Sequence, residues 1–507
     1  MTEGNWMQRT QGKKWLLLFI IAFINILIIE LIVLTIEPYW GDFNQELANF
    51  IGWEGDYVLI LLCIILIPVI YAGVMVVINF KRFIHTKQTR PHLINKILPL
   101  IVLILFDMLL VVLVYFFGEE AAILNAILEN FSIFIFIVIN IGLFILLYPI
   151  LSYLRKVLKG SSSKGGNTRI KAIGILICIV IGYGVAFNLP FLFKPTNIIS
   201  GNLPEKPKII AHRGAAHLAP ENTIIAADVA YNLSCDGWEI DVQISRDGIP
   251  FLMHDDTLKR TTNVAEIFPG RENEAAANFT ITELEQLNAG KWFVEQDPYR
   301  AIAKGLVSQA QVEFYRINAS IPTLEEVLNF TKDHNLLLDV DFKTPPADHP
   351  YHVEYFNICL SLLNASGLDK KIWVTAWSQS WLDIALLYTN LTVAWSISSS
   401  DPPTIAEFNA TGYEMINTHY AISNDILKAY KATGLVVNAY TVDLTLLYSQ
   451  LWCAGVTFVT TNEPYKFVGL SQPIWYLHIE IYILFWIVVN SFGVIFVFTM
   501  KYGRLNT

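Results

Sequence analysis

The sequence predicts an α/β TIM barrel, (β/α)8, joined to a six-helix transmembrane α bundle. Three observations predict it. Five long apolar runs crowd the first 195 residues and a sixth lies near the end. Eight short β-branched runs alternate with helical patterns between residues 209 and 470. The chain is 54% apolar and only 16% charged, whereas soluble domains carry about 25% charged residues.

A transmembrane helix needs about 20 apolar residues to cross roughly 30 Å of hydrocarbon. The runs that meet this are Leu16–Ile36, Val58–Ile78, Leu98–Phe117, Phe131–Leu151, Ala172–Phe193 and Ile474–Met500. The first is too long for a signal-peptide core and lacks a small-residue cleavage site, so it is retained. Lys and Arg fall at the N-terminus (Arg9, Lys13, Lys14), in the second loop (Lys81, Arg82, Lys87, Arg90, Lys96) and in the fourth (Arg155, Lys156, Lys159, Lys164, Arg169, Lys171). The first and third loops have neither residue. By the positive-inside rule both termini are cytoplasmic and the long segment after the fifth helix is extracellular or lumenal. A multi-pass protein of the plasma membrane fits this pattern.

That segment carries seven N-x-S/T sequons, at Asn232, Asn278, Asn318, Asn329, Asn364, Asn390 and Asn409, a density that suits a glycosylated surface. The organisation expected is therefore a cytoplasmic N-terminus and five helices in 1–193, a linker in 194–208, the extracytoplasmic domain in 209–470, the sixth helix in 474–500 and a cytoplasmic tail in 501–507. Gly160–Gly166 reads as a flexible cytoplasmic loop. Glu30 and Asp107 lie inside apolar runs, where an acid is either functional or hydrogen-bonded between helices. A transporter would show internal repeats in the helices, and none is seen.

The net charge of −9 gives no electrostatic reason to bind nucleic acid, and no recognition motif is present. The sequence points to no particular protein partner. The five cysteines form no metal-type pairs. Cys63 and Cys178 lie in apolar runs. Cys235, Cys359 and Cys453 lie in the polar segment, where one bridge is permitted outside the cytoplasm. Cys235 precedes strand two and Cys453 precedes strand eight, and both strands flank strand one in a closed barrel, so a Cys235–Cys453 bridge is geometrically conceivable.

The eight expected strands are Ile209–His212, Trp238–Val242, Leu337–Phe342, Ile372–Trp377, Thr392–Ile397, Tyr413–Thr418, Leu435–Tyr440 and Val456–Thr460. Helical stretches such as Ile224–Leu233, Leu324–Asp333, Val353–Leu363 and Asp425–Thr433 separate most of them. A barrel of this kind places its chemistry at the C-terminal ends of the strands. His212-Arg213-Gly214 ends the first strand, and Glu239-Ile-Asp241 lies on the second. A hairpin at Asp247-Gly248 folds His254-Asp255 back towards Asp241. Glu239 and Asp241, two apart on a strand, share a face. Asp339-Val-Asp341-Phe-Lys343 ends the third strand, while Asp255 also reads as an Asx-turn residue.

Carboxylates on one face repel, and a divalent cation relieves that. Oxygen-only ligands favour one hard ion, Mg2+ or Ca2+, with Mn2+ a further candidate. Two histidines, an arginine and a lysine beside such an ion suit in-line phosphoryl chemistry, with the imidazoles moving protons.

The run His212-Arg-Gly…Pro220-Glu-Asn-Thr223…Glu239-Ile-Asp241…Asp247-Gly-Ile-Pro-Phe-Leu-Met-His254-Asp255 closely resembles the glycerophosphodiester phosphodiesterase family. The likeness continues through Thr261-Thr-Asn263, Leu287–Phe293, Ile321–Glu326 and Val437–Thr441, and covers nearly all of 205–470. Leu451–Gly455, Thr460-Thr-Asn462 and the flanking helices look like the animal multi-pass ectoenzyme subgroup, which is associated with glycerophosphoinositol-type substrates and with release of glycosylphosphatidylinositol-anchored proteins. The resemblance implies His212 and His254 as the acid–base pair and Glu239 and Asp241 as metal ligands. Asp341 stands where much of the family has Glu, so the third ligand is a methylene shorter. Arg213 and Lys343 match phosphate-contacting positions. Glu221 and Asn222 match the Pro-Glu-Asn-Thr motif, where Asn222 is either structural or catalytic. Tyr440 replaces a Trp common in soluble members and reshapes the alcohol pocket.

The implied mechanism starts with a substrate hydroxyl attacking phosphorus, with His212 as base and His254 as acid, and ends with water opening a cyclic phosphate. Attack by glycerol yields glycerol 3-phosphate; attack by inositol yields inositol phosphate and glycerol. Both routes stay open on sequence. So does phospholipase-type cleavage of a lipid anchor. An inactive receptor or scaffold would show a substituted histidine or a lost carboxylate, and this chain shows neither.

Overall fold

The structure, a computed structural model, describes residues 19–20, 23–24, 26–27, 44, 55–84, 126, 129–137, 140 and 167–502. These fall into two compact units, residues 1–125 and 126–507.

In the first unit the helix Tyr57–Ile84 buries Val58, Leu62, Ile65, Val69 and Ala72 beside Ile26 and Phe23, a spacing that places them on one face. Asp56 Oδ1 and Asn44 Oδ1 accept from the first backbone N–H groups, those of Leu59 and Val58, at 3.0 Å each. The other faces expose Leu59, Ile60, Ile67, Ile70 and Val74, so the helix is apolar all round. Its stretch Tyr57–Phe80 is the one helix among the described residues long and apolar enough to cross a membrane, and it coincides with the second expected span. Six such helices are thus not found among the described residues. The first, third and fourth runs lie wholly or mostly outside them, as do Glu30, Asp107 and the loop Gly160–Gly166.

In the second unit eight parallel strands close into a barrel: β2 (Lys208–Ala211), β3 (Gly237–Ile244), β5 (Leu337–Phe342), β6 (Ile372–Ala376), β7 (Thr392–Ile397), β8 (Met415–His419), β9 (Val436–Tyr440) and β10 (Phe458–Thr461). β2 pairs with both β10 and β3, which completes the ring. A short β4 (Pro250–Leu252) runs antiparallel to β3. All eight expected strands are present, two with the expected bounds and the others with ends shifted by at most two residues.

Helices cover the outside. Trp238 of β3, fully buried, donates from Nε1 to Thr331 Oγ1 (3.0 Å) on the helix Leu324–Asp333. That helix starts in a capping box, Thr323 with Glu326. Between β4 and this helix the chain makes the helices Val264–Ile267, Ile281–Leu284, Lys291–Gln296 and Gln309–Asn318. The first two seal a core around Phe251, Leu258, Phe279 and Leu287, and the last two bury Trp292, Phe293, Val312 and Tyr315 against Leu218 and Ala226. No element was expected there: the first three are too short to show a period, and the ten residues of Gln309–Asn318 were not read as a helix.

The expected linker is ordered rather than loose. Residues 195–199 are buried, and β1 (Ile198–Ile199) pairs in parallel with β11 (Leu477–His478). Thr196 Oγ1 donates to Glu129 Oε1 at 2.6 Å. The same pairing corrects the sixth run. Its helix begins at Ile479 rather than Ile474, because the residues before it are held by β1 and by the hydrogen bond from Asn197 Nδ2 to the Trp475 carbonyl. The fifth run lies in the helix Asn167–Leu192.

The conceivable bridge is absent. Cys235, Cys359 and Cys453 are free and buried, and burial pushes the Cys235 and Cys453 thiols up to about 12. Of the seven sequon asparagines, Asn232, Asn278, Asn318, Asn329 and Asn409 are exposed, while Asn364 and Asn390 are half-buried.

At the start of β3, a Cβ on Gly237 would sit 2.4 Å from the Leu337 carbonyl oxygen of β5. Gly237→Ala is expected to push the two strands apart and destabilise the barrel by about 1–3 kcal/mol. Thermal unfolding of the purified protein checks this, and an unchanged midpoint would refute so tight a contact.

Candidate active site

The site forms where β2, β3 and β5 end. In-register pairing sets Glu239 beside Asp339 and Asp241 beside Asp341. After β2 the chain turns sharply through Arg213, Gly214 and Ala215, with φ of 49, 76 and 60°. A Cβ on Gly214 would lie 2.8 Å from the Ala226 and Ala227 backbone of the helix Ile224–Asn232. Only glycine fits there, and the turn aims His212 and Arg213 inwards. Thr223 caps that helix, accepting from Ala226 N at 3.2 Å. Asn222, at φ 55°, donates to Asp241 Oδ2 (2.7 Å) and accepts from Asp241 N (3.1 Å).

A cavity of about 320 Å3 opens at these strand ends. Its wall includes His212, Arg213, Glu239, Asp241, His254, Asp341, Lys343 and Tyr440, eight of the ten residues expected at the site. Glu221 and Asn222 do not line it. Asn222 braces Asp241 from behind, and Glu221 is buried between Arg213 (3.1 Å) and Arg260 (2.7 Å).

Carboxylate oxygens of Glu239, Asp241 and Asp341 lie within 4.8 Å of one another. Burial works against charge on Asp241, but Arg213 Nε (3.2 Å) and Lys343 Nζ (3.0 Å) hold it well below the usual carboxylate range. Burial and then the charges of Asp241 and Asp339 drive Glu239 well above that range. Burial likewise pushes Asp339 up to about 7, against a hydrogen bond from Thr375 Oγ1 (2.7 Å). Negative charge therefore exceeds what the local cations balance. Three convergent oxygen donors with an excess of buried charge fit a hard divalent cation. Arg213 Nε is buried beside Asp241 Oδ2.

A second group, His217, Asp443 and Glu463, is also compact but does not fit a metal. Asp443 accepts from Thr461 Oγ1, Asn462 N and Asn462 Nδ2 at 2.9, 2.8 and 2.7 Å. Glu463 is taken up by Tyr465 and Lys466.

The two histidines have opposite partners. Asn462 gives its amide NH2 to Asp443, so its Oδ1 faces His212 Nδ1 at 2.7 Å. Nδ1 must then carry the proton, and Nε2, 3.8 Å from Glu239, presents a lone pair. Burial, helped by the adjacent Arg213 charge, brings His212 down to about 3, so the ring is neutral. His254, at the rim, sets Nδ1 2.9 Å from the Asp255 carboxylate, which can only accept. Burial would raise Asp255, but Arg260 (2.7 and 2.8 Å) and His254 hold it well below the usual range. Asn462, Asp443, Arg260 and Asp339 were not singled out as site residues from the sequence. Asn462 lies in the quoted Thr-Thr-Asn run; Arg260 carries no spacing signal, meeting Glu221 across 39 residues.

A closed parallel barrel with paired histidines, clustered carboxylates and cations at its C-terminal rim defines a class, that of hydrolases acting on phosphate esters. Residues 212–466, half of the chain, match the glycerophosphoryl diester phosphodiesterase family, and the chain belongs to it. A glycerophosphodiester phosphodiesterase domain-containing protein 5 of Gallus gallus is 38% identical over 56% of this chain and 46% of its own length, so this chain spans less than half of that relative. A glycerophosphoinositol inositolphosphodiesterase of Mus musculus is 28% identical over 90% of this chain and 81% of its own. Among solved structures, a phosphodiesterase of Oleispira antarctica in complex with sn-glycerol-3-phosphate is 24% identical, covering 52% of this chain and 95% of that one, with a TM-score of 0.42.

Arg260 is the single cation joining Glu221 to Asp255. Arg260→Ala leaves Glu221 with Arg213 alone. Because Arg260 is 39% exposed, the expected loss is about 1–3 kcal/mol, less than for a fully buried pair. Denaturant unfolding measures it, and a loss below about 0.5 kcal/mol would show that the bridge is solvent-screened.

Proposed function

We propose that the barrel hydrolyses glycerophosphodiesters, glycerophosphoinositol or glycerophosphocholine among them, on the extracellular or lumenal side of a membrane. The observation that carries this is the pair of histidines with opposite partners, an amide for His212 and a carboxylate for His254, beside three convergent carboxylates. Family membership and the names of the relatives support the substrate class.

His212 Nε2, with its lone pair free, takes the proton of the substrate hydroxyl as that oxygen bonds to phosphorus. His254 gives a proton to the departing alkoxide, and the imidazolium that it starts from is balanced by Asp255. The cyclic phosphate so formed is opened by water, with the two histidines exchanging roles. Arg213 and Lys343 hold the phosphoryl oxygens. Glu239, Asp241 and Asp341 are the residues that would hold one Mg2+, Ca2+ or Mn2+ ion, which supplies charge stabilisation at the phosphoryl group. Asn222 acts by fixing Asp241, and Glu221 by fixing Arg213. Tyr440 lines the alcohol side.

The charge alternation along the loops supports six membrane helices with cytoplasmic termini, as does the all-round apolar helix Tyr57–Ile84. The apolar runs support the division into 1–193, 194–208, 209–470, a last membrane segment whose helix starts at Ile479 rather than at the expected 474, and 501–507. Cleavage of a lipid anchor would use the same groups, and an anchored protein belongs on the assay panel. An inactive scaffold is disfavoured because no histidine or carboxylate of the set is missing.

Glu239→Ala or Asp241→Ala should abolish turnover, with partial rescue by excess metal. His212→Ala and His254→Ala should lose roughly 10²–10⁴-fold in kcat while still binding metal by calorimetry, and no metal concentration should restore them. Asp341→Glu, restoring the longer ligand, should keep activity and shift metal preference. Full turnover by His212→Ala, or by thoroughly chelated protein, would falsify the mechanism.

Protein made in a glycosylating cell should carry glycans on the five exposed asparagines and gain gel mobility on glycosidase treatment. Unchanged mobility would overturn the extracytoplasmic placement.

A further inference from the structure

On the outside of the barrel a groove of about 480 Å3 lies between three helices, Ile224–Asn232, Gln309–Asn318 and Leu324–Asp333. That volume falls in the roughly 300–1,000 Å3 range of small-molecule sites. Leu306, Phe314 and Phe330 supply apolar wall, with Asp228, Gln311 and Asn232 as polar groups among them. Phe314 is 53% exposed, and Leu306 and Ile317 are exposed as well. Grouped apolar surface of this kind marks a place where something binds.

Each of the three helices carries a sequon asparagine. Asn232 ends the first and is itself part of the wall. It stands one turn after Asp228, whose Oδ2 accepts from Asn232 Nδ2 at 2.9 Å. Asn318 ends the second helix, four residues after Phe314 and seven after Gln311, so by helical spacing it shares their face. Asn329 adjoins Phe330 on the third. All three asparagines are exposed. The remaining four sequons lie on none of these helices.

We propose that this groove seats the N-linked carbohydrate of Asn232, whose first two N-acetylglucosamine rings pack along Phe314 and Phe330 and cover the apolar wall. The inference rests on the extracytoplasmic placement proposed above and gives one of its glycans a defined seat. A pyranose ring has C–H faces that pack on aromatic rings as apolar surface. Its hydroxyl and acetamido groups need hydrogen-bond partners. Asp228 accepts, and Gln311 Nε2 keeps a second N–H beside the one given to Tyr315 Oη (3.3 Å). Glycosylation leaves one hydrogen on Asn232 Nδ2, so the bond to Asp228 survives and holds the linkage along the groove. A sugar tethered at the wall reaches a local concentration on the order of millimolar. A protein partner would have to displace it and pass the sugars on Asn318 and Asn329. The tethered sugar is therefore the occupant.

The test uses the full-length protein, made in a glycosylating cell and kept native. Peptide mass mapping first reads which sequons carry sugar. An endoglycosidase that cuts between the first two N-acetylglucosamines should release the Asn232 glycan about two- to tenfold more slowly than those on Asn278 and Asn409, which lie on other elements. Phe314→Ala, which removes an exposed ring, should abolish that lag. Hydroxyl-radical footprinting gives a second readout. Oxidation of Phe314 should rise about two- to tenfold in Asn232→Gln, and equally in Ser234→Ala, which loses the sequon but keeps the asparagine. Asn409→Gln should leave it level. Equal release at all three sites overturns the seat, as does sugar on other sequons but not on Asn232. Phe314 oxidation unmoved by loss of the Asn232 sugar also overturns it, and assigns a protected groove to a protein partner or a second copy. Absence of sugar from every sequon overturns instead the extracytoplasmic placement beneath it.

Discussion

The burial of like charges at one end of the barrel governs the rest of the site. Because β3 and β5 run parallel in register, Glu239 faces Asp339 and Asp241 faces Asp341. A buried charge without a partner costs several kcal/mol, so four neighbouring acids would disrupt the rim if left alone. The surrounding motifs are the compensation. Arg213 adopts a left-handed backbone so that its N–H reaches Glu239 Oε2 (2.9 Å) while its guanidinium reaches Asp241 and Glu221. Asn222 adopts the same region to clamp Asp241. Lys343 follows β5 and bridges Asp241 and Asp341. The His-Arg-Gly and Pro-Glu-Asn-Thr motifs are thus the backbone geometry that three buried acids and a half-buried fourth demand.

The histidines show how hydrogen-bond partners assign roles to chemically identical side chains. An amide oxygen oriented by Asp443 fixes the His212 tautomer without adding charge, and burial keeps the ring neutral. A carboxylate anchored by Arg260 does the same for the tautomer of His254 but also balances a positive ring. His212 is 19% exposed and His254 35%.

The sequence showed what is periodic or contiguous. Strands of β-branched residues were legible because a barrel strand buries both faces and reads as a short apolar run. Glu239 and Asp241 were legible as site residues because spacing by two guarantees a shared face. What was illegible arises from tertiary pairing. Asn462 acquires its role by meeting a residue 250 positions earlier, and Arg260 by closing on Glu221 across a loop. Glu221 and Asn222 were legible only as a motif, with Asn222 either structural or catalytic, and their side chains face the residues that line the cavity. Residues 195–199 fell within the stretch 194–208 read as a linker for its Pro and Gly. Their burial comes from Glu129 and from pairing with β11, neither of which leaves a local trace.

One helix joins the rim that carries the site to the segments around Ala126 and Glu129. Thr445–Ala454 is buried from Leu447 onwards, unlike the one-sided helices elsewhere on the barrel. Its inner face packs on the barrel. On its outer face Gln450 Nε2 donates to the Ala126 carbonyl (3.1 Å) and to Glu129 Oε2 (3.3 Å), the carboxylate that also holds Thr196. The helix begins two residues after Asp443, and the strand that follows it, β10, ends one residue before Asn462. The two residues that orient His212 therefore bracket the helix held by Glu129. Where its outer partners sit thus constrains the loop ends that carry Asp443 and Asn462.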